Sequence, residues 1–471
     1  MGIEPGTIEA IRRLAVEIAG KGGRAFYVGG YVRDSLLGRA AKDVDVEVYG
    51  LDLDSLQGVL EGCGCGKALL VGRQFGVLRL EDLDADWSVP RTDSSGRRPR
   101  VAVDPSLAPA EAARRRDLTM NAMLMDVLGG EVLDPWGGRE DLERGVLRTP
   151  DPEKFVEDPL RYYRVMQFAA RFEMKPDRAL AAVCRRMKIA PVAAERVEDE
   201  FAKLLLEARR PSLGLRFLDE TGRLSEVLPE LVPLKETPQE PDWHPEGDVW
   251  GHTLQVVDAA AGLRSGARER DLMLAWAALC HDLGKPATTT VRQGRIRTPE
   301  HDRESARLAG GLLNRLVRKN KVVRKGALKL VAQHMKPMQF FQNRSTAKGF
   351  KRLALKLAPE ADLELLSDLA LADFRGTNPE GDGPLAGESM LLSWFREQAR
   401  ASGVEREPER PVLMGRHLDG FLEPGPDMGK VLERAYRIQL DEGIRDVETL
   451  RRRVLGEKGK KTQDNNVPKL L

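Results

Sequence analysis

The sequence predicts an α+β chain: a small mixed β-sheet with flanking helices at the front, then helices almost throughout. Three observations predict it. Up to about residue 135, the short β-branched runs Phe26–Val28, Val44–Tyr49, Leu78–Leu80 and Trp87–Val89 alternate with helical stretches, separated by glycine and aspartate. Beyond Asp134, apolar residues recur at three- and four-residue spacing, as in Arg161 to Phe172 and Phe201 to Leu206. Proline-rich Pro229 to Pro245, with five prolines, and glycine- and proline-rich Asn378 to Pro384 mark boundaries or long loops. The expected divisions are 1–135, 136–235, 236–385 and 386–456, with the polar, lysine-rich 457–471 disordered.

Composition narrows the class. With 41% hydrophobic and 31% charged residues the chain is that of a soluble globular protein. The apolar stretch Leu272 to Cys280 is too short to span a bilayer, and Met1 to Glu9 lacks the pattern of a secretory signal. Both point to the cytoplasm and to no membrane partner. Cys63, Cys65, Cys184 and Cys280 form no CxxC pair and read as reduced thiols. Net charge is only +2, so nucleic-acid binding needs local basic patches. Arg114 to Arg116, Arg161 to Arg171 and Arg318 to Lys329 supply them, although each also suits a solvated helix face.

The front module carries a constellation suited to phosphate chemistry. Gly29 and Gly30 follow the run Phe26–Val28 and precede a helical stretch, so backbone N–H groups can approach a phosphate. Asp43 and Asp45 come next; on a strand, residues two apart share a face, and paired carboxylates of that kind suit Mg²⁺. The same pair also suits the exposed face of an edge strand. Asp86 is a candidate third carboxylate on a neighbouring strand, and Arg91 to Arg100 has the composition of a mobile loop. Asp117 and Asn121 would share a face if helical, able to bond a ribose while Arg115 and Arg116 reach a triphosphate. In Glu157-Asp158-Pro159-Leu160-Arg161, Asp158 reads as a helix cap with Pro159 at the first helical position. Asp158 accepts and Arg161 donates, which matches the amino donor beside a ring-nitrogen acceptor on cytosine and adenine and mismatches uracil and guanine. A capping salt bridge explains the same pair without any base.

Taken in order, Gly29-Gly30-Tyr31-Val32-Arg33-Asp34, Asp43-Val44-Asp45, Arg115 to Ala122, Asp134-Pro135-Trp136-Gly137-Gly138 and Glu157 to Arg161 resemble the class II tRNA nucleotidyltransferases. These are the bacterial CCA-adding enzymes, which share head and neck with bacterial poly(A) polymerases. The likeness continues through Glu195-Arg196 and Leu228-Pro229-Glu230-Leu231. It implies a nucleotidyltransferase head over 1–135 and a helical neck and RNA-binding body over 136–235. It further implies catalytic Mg²⁺ on Asp43 and Asp45, and nucleotide binding by Gly29, Gly30, Arg33, Arg115, Asp117, Asn121 and Arg164. Asp158 and Arg161 would be the protein template, with Glu157 orienting Arg161, and Asp134 to Arg148 a hinge. ATP, CTP and tRNA are the implied partners, with Arg161, Arg164 and Arg171 lining a helix face near the RNA. The sequence departs from the family at Asp93, where glutamate is expected, and at Gln167, where arginine is frequent. An enzyme that adds only the final A, or a poly(A) polymerase, needs the same base-edge chemistry.

A second constellation lies further on. Five of the six histidines, His244, His252, His281, His301 and His334, fall between residues 244 and 334. Clustered imidazoles with a carboxylate suit a divalent metal and a bound water nucleophile. His252, His281-Asp282 and Asp373 resemble the ligand set of an HD phosphohydrolase domain, expected over 236–385, with His301 and His334 positioned for a second metal. Trp243-His244-Pro245-Glu246 resembles the segment leading into that domain, and residues 386–456 a helical tail. The implied chemistry is hydrolysis of phosphoester ends, by an intact site or by none if the domain is only structural. If that hydrolysis were the main activity, the front module would serve to dock RNA.

Overall fold

The computed structural model describes residues 3–62, 66–71, 76–93, 101–381 and 383–456. Cys63, Cys65, residues 94–100 of the Arg91 to Arg100 segment and the 457–471 tail lie outside the described residues. The fold is α+β, and the chain divides into two compact units, Met1–Val227 and Leu228–Leu471.

The first unit is built on β1 (Arg24–Val28), β2 (Asp45–Tyr49), β3 (Ala68–Val71), β4 (Val77–Leu80), β5 (Leu83–Ser88), β6 (Arg91–Asp93), β7 (Val101–Val103), β8 (Leu124–Asp126) and β9 (Val132–Leu133). Seven of these form one sheet in the order β3-β4-β5-β2-β1-β8-β9. Its pairs are antiparallel except β2–β5, whose parallel alignment requires the crossover through the helix Leu53–Gly62 and the hairpin β3–β4. The N-terminal helix Pro5–Gly20 buries Ile11, Leu14, Ala15 and Ile18, the spacing of one helical face. Phe26, Val28, Tyr49, Ala112, Ala113, Ala122 and Leu124 form another core cluster.

The fold corrects two expectations. β2 lies between β5 and β1, so its aspartate is on an interior strand, not on an edge. The start of the Arg91 to Arg100 segment is not loop: β6 pairs antiparallel with β7, which follows the segment.

After residue 135 the unit is helical apart from a two-residue parallel pairing of Val146–Leu147 with Lys175–Pro176. The helix Leu160–Arg171 packs against Ala194–Glu207 and Ser212–Glu220, and Tyr162 Oη meets Thr221 Oγ1 at 2.7 Å inside that core.

The second unit centres on the helix Arg268–Cys280, continuously buried from Asp271 to Cys280. Val249–Ala261, His301–Leu316, Lys321–Gln333 and Leu363–Arg375 pack on it. The helices Pro426–Glu442 and Val447–Leu455 close a small core with Leu413, Leu418, Met428, Ala435 and Leu450. One departure from an all-helical reading is the antiparallel hairpin Thr290–Arg292/Arg295–Arg297. No helix among the described residues is long and apolar enough to cross a membrane.

Candidate functional site

In the first unit, a cleft of about 510 Å³ gathers Gly29, Gly30, Arg33, Asp43, Asp45, Arg115, Asp117, Asn121, Asp158, Arg161 and Arg164. Ten of its lining residues are lysine or arginine and six are aspartate or glutamate, so its field favours anions.

Gly29 turns the chain from β1 into the helix Gly30–Leu36 with φ 66°, a left-handed conformation suited to glycine. A Cβ there would lie 3.7 Å from Asp45 Oδ2, so the bare backbone keeps the ground before the carboxylate open. Asp45 begins β2, whereas Asp43 sits two residues ahead of it, outside the paired strand. Asp86 stands opposite Asp45 in the β2–β5 register, and Arg79 Nε holds it at 2.8 Å. Although Asp45 is exposed as a residue, its carboxylate is hemmed in by protein. Burial pushes its carboxyl up, Asp86, Asp43 and Glu47 add to that, and Arg116 opposes. Such crowded like charge is the setting in which a divalent cation is stabilising.

Sequence reasoning missed Glu47. It continues the Asp43, Asp45 alternation but is 2% exposed, accepts from Tyr49 Oη at 2.6 Å, and lies 3.4 Å from Arg115 Nη2 and 3.5 Å from Arg116 Nη2. It therefore aims both arginines along the cleft. The alternating acidic run DVDVE was the available signal.

Asp117 and Asn121 do meet, though not on a helix. Asp117 follows the short helix Pro109–Arg114, Leu118 is extended, and the 3-10 turn Thr119–Asn121 folds the amide back. Asn121 Nδ2 then donates to Asp117 Oδ1 at 3.0 Å, and Arg33 Nη1 donates to Asn121 Oδ1 at 2.7 Å. Arg164 Nε donates to Asp117 Oδ2 at 2.6 Å. Burial raises the Asp117 carboxyl, but Arg164 and Asn121 outweigh it and hold it at about 2.

Asp158 caps the helix Leu160–Arg171 through Leu160 N at 3.0 Å, and its Oδ2 lies 3.3 Å from Arg196 Nη2. Arg161 is fixed by two backbone carbonyls, Nη1 on Lys154 O at 2.6 Å and Nη2 on Arg115 O at 2.5 Å. Glu157 takes Lys154 Nζ at 3.0 Å instead of orienting Arg161, because those carbonyls already occupy the guanidinium. Arg161, Arg164 and Arg171 all line the cleft, with Arg164 and Arg171 over the Phe168 ring. Gln167 is buried, accepts from Arg171 at 3.0 Å, and leaves its own Nε2 without a partner among the described residues. In the segment read as a hinge, Asp134 caps the helix Gly138–Arg144 and Asp141 accepts from Thr119 Oγ1 at 2.6 Å.

In the second unit, all the metal-ligand candidates converge. Asp282 lies between two histidine pairs. Its Oδ2 is 3.2 Å from His281 Nε2 and 3.8 Å from His252 Nε2. Its Oδ1 is 3.5 Å from His301 Nε2 and 4.0 Å from His334 Nε2. Asp373 Oδ1 is 3.0 Å from His252 Nε2 and 3.8 Å from His281 Nε2. His281, His301 and His334 each place Nδ1 2.8 Å from the carbonyl three residues earlier. Nδ1 then carries the proton, and each Nε2 lone pair points inward. His281 Nε2, although buried, has no hydrogen-bond partner among the described residues.

Three ligand groups result: His244, Glu246 and His252; His252, His281 and Asp282; Asp282, His301 and His334. These donors fit a divalent metal. Glu246 was read only as part of a leading segment. Its Oε1 lies 2.9 Å from His244 Nδ1 and 2.7 Å from His252 Nδ1, which fixes the ring of His252. Lys285 Nζ lies 2.7 Å from Asp282 Oδ2 and offsets its buried charge. Burial lowers the basicity of His334 to about 4, helped by His301 and His281. Burial also disfavours charge on His252, but Asp373 and Glu246 carry it up to about 9.

Three family models match parts of the chain. Residues 25–148 match a poly A polymerase head domain, 173–234 a probable RNA and SrmB-binding site of polymerase A, and 249–373 an HD domain. A multifunctional CCA protein of Xanthomonas campestris is 40% identical over 278 residues, 56% of this chain and 64% of that protein. The chain thus spans less than two thirds of the length of that relative. A multifunctional CCA protein of Alkalilimnicola ehrlichii is 34% identical over 395 residues, 80% of this chain and 90% of its own length. Among solved structures, the Bacillus stearothermophilus CCA-adding enzyme in complex with CTP has TM-score 0.64 at 20% identity, covering 95% of this chain and 96% of that one. The Thermotoga maritima CCA-adding enzyme complexed with tRNA has TM-score 0.56 at 18% identity, covering 97% and 96%. At those identities the structures speak for the fold, and it is the sequence relatives, above all the one matched over nine tenths of its length, that place this chain in the family of multifunctional CCA proteins.

Proposed function

We propose that the chain is a tRNA nucleotidyltransferase that adds C and A from CTP and ATP to the tRNA 3′ end without a nucleic-acid template. One observation carries the reading: a single basic cleft holds Asp43 and Asp45 beside the Arg33–Asn121–Asp117–Arg164 network and the Asp158/Arg161 pair. Residues 1–135 would form the catalytic head, 136–235 the neck and body, 236–385 the HD domain and 386–456 the tail.

Asp43 and Asp45 would hold Mg²⁺, which when bound activates the 3′-hydroxyl and stabilises the leaving pyrophosphate. Arg115 and Arg116, aimed by Glu47, take the triphosphate oxygens. Asp117 and Asn121 present polar atoms to the ribose. Arg161 has further N–H groups beyond the two its carbonyl anchors use, so it can donate to a ring nitrogen while Asp158 accepts from an exocyclic amino group. Uracil and guanine offer the opposite order, setting donor against donor and acceptor against acceptor, which discriminates against them. Because no step needs a template strand, the same protein surface selects both bases.

The second unit supports a second activity, hydrolysis of phosphoester ends. The observation favouring it is Asp282, with one oxygen toward each histidine pair, so that Asp282 and these histidines would hold divalent metal, which would supply an activated water for hydrolysis. The double variant Asp43→Ala/Asp45→Ala separates the two. Nucleotide incorporation into tRNA lost with phosphohydrolase activity intact supports the reading; incorporation unchanged sinks it.

A further inference from the structure

The rim of the histidine centre carries an exposed surface that its chemistry does not use. Between Asp282 and His301 the chain runs out into the hairpin Thr290–Arg292/Arg295–Arg297 and back. Gln293 and Gly294 both have positive φ, 54° and 76°, the form of two-residue turn that fits a right-handed ribbon. Register pairs Thr290 with Arg297, Val291 with Ile296 and Arg292 with Arg295. Side chains of alternate pairs share a face, so Arg292, Arg295 and Arg297 stand together on one side and Val291 and Ile296 on the other. The hairpin contains no acidic residue. Arg292 and Arg297 make no ion pair among the described residues, and Arg295 meets only Asp242, at 4.0 Å with both side chains well exposed.

The hairpin is strapped to the other rim segment. Ile296 N donates to Glu240 Oε2 at 2.8 Å. Three residues after Glu240, Trp243 is 66% exposed, unusual for the largest apolar side chain. The next residue, His244, is bonded to Glu246 and through it to His252. An open indole next to His244 and a row of guanidinium groups on the hairpin between Asp282 and His301 are thus tied together by the Ile296–Glu240 bond, on the segments that carry the ligand residues.

We propose that this rim binds the single-stranded 3′ end of an RNA, with Trp243 stacking on a base and Arg292, Arg295 and Arg297 contacting phosphates, so that the terminal phosphoester enters the histidine centre. Stacking with adjacent phosphate contacts is how proteins hold single strands without reading sequence. The inference rests on the phosphohydrolase reading of the second unit.

The test uses the full chain loaded with Mn²⁺ or Ni²⁺ and two substrates. One is an RNA oligonucleotide ending in a 2′,3′-cyclic phosphate, and the other is bis(p-nitrophenyl) phosphate. Trp243→Ala and the triple variant R292E/R295E/R297E change exposed side chains, none of which is a candidate ligand. Each is expected to raise KM for the RNA about tenfold while leaving its kcat and the aryl ester unchanged. An unchanged RNA KM, or equal losses on both substrates, overturns the proposal. In parallel, RNA with a 3′-terminal 4-thiouridine is photocrosslinked and the adducts mapped. Adducts at Trp243 or within 290–297 support the rim even if neither substrate is hydrolysed, an outcome that would reject the phosphohydrolase reading alone. Adducts confined to other segments overturn the rim.

Discussion

Replacing Asp117 by asparagine removes the charge that ties the helix Leu160–Arg171 to the catalytic sheet while keeping the shape of the side chain. In the structure Oδ1 accepts from Leu118 N and Asn121 Nδ2, and Oδ2 accepts from Arg164 Nε. An amide has one acceptor atom, so either orientation of the substituted side chain leaves an NH₂ facing a donor. The carboxyl sits at about 2 against an ordinary 3.8, which corresponds to about 2 kcal/mol of net interaction at neutral pH. Since the folded value is depressed, the contribution is complete above pH 3.8 and is lost as pH falls toward 2. Native-state hydrogen exchange reads this locally, without assuming that two units unfold together. At pH 7 the amides of Leu160–Arg171 in Asp117→Asn are expected to lose about thirtyfold in protection, and the ratio to wild type should stay constant down to pH 5. A loss below threefold, or a ratio that changes between pH 7 and 5, would refute the role given to this carboxylate.

Asp282→Asn is expected to lower bound divalent metal from two ions per chain to less than one, and His334→Ala to one, as counted by elemental analysis after dialysis. A Cβ on Gly284 would sit 2.4 Å from His301 O and 2.6 Å from Ser305 N. Gly284→Ala should therefore push His301 away from Asp282, lose one metal, and destabilise by about 2 kcal/mol in urea unfolding of the second unit. Glu47→Gln leaves Arg115 and Arg116 without their buried anion; it should cost about 3 kcal/mol and raise KM for CTP and ATP together, with the discrimination against UTP unchanged.

Much of this was legible in the sequence because the informative residues are close in sequence or alternate with the strand period. Asp45 lies where the β-branched run Val44 to Tyr49 located a strand, and Asp158-Pro159 marked a helix start at Leu160. The six proposed ligands of the second unit were readable because five of the six histidines cluster between residues 244 and 334 and, with Asp282 and Asp373, resemble an HD ligand set. What local pattern could not supply was the partner across the fold. Arg161 is held by carbonyls of Lys154 and Arg115, which no spacing rule links, so the nearby carboxylate of Glu157 stood as the natural support. Asp117 and Asn121 suggested a helix by their interval, yet a turn brings them together. Glu47 and Glu246 were passed over because a glutamate's burial depends on tertiary packing, which its neighbours in sequence do not reveal.

Template-free CCA addition is tested most directly on tRNA transcripts ending before CCA, after C and after CC. Each is incubated with Mg²⁺ and with CTP, ATP or both, and the products are sequenced. All three are expected to end in CCA when both nucleotides are present, and UTP and GTP are not to be incorporated. Extension of the CC-ended transcript alone, by one A, would make the chain a specialist for the final step. Long A tails would make it a poly(A) polymerase, and no extension of any transcript would contradict nucleotidyl transfer outright.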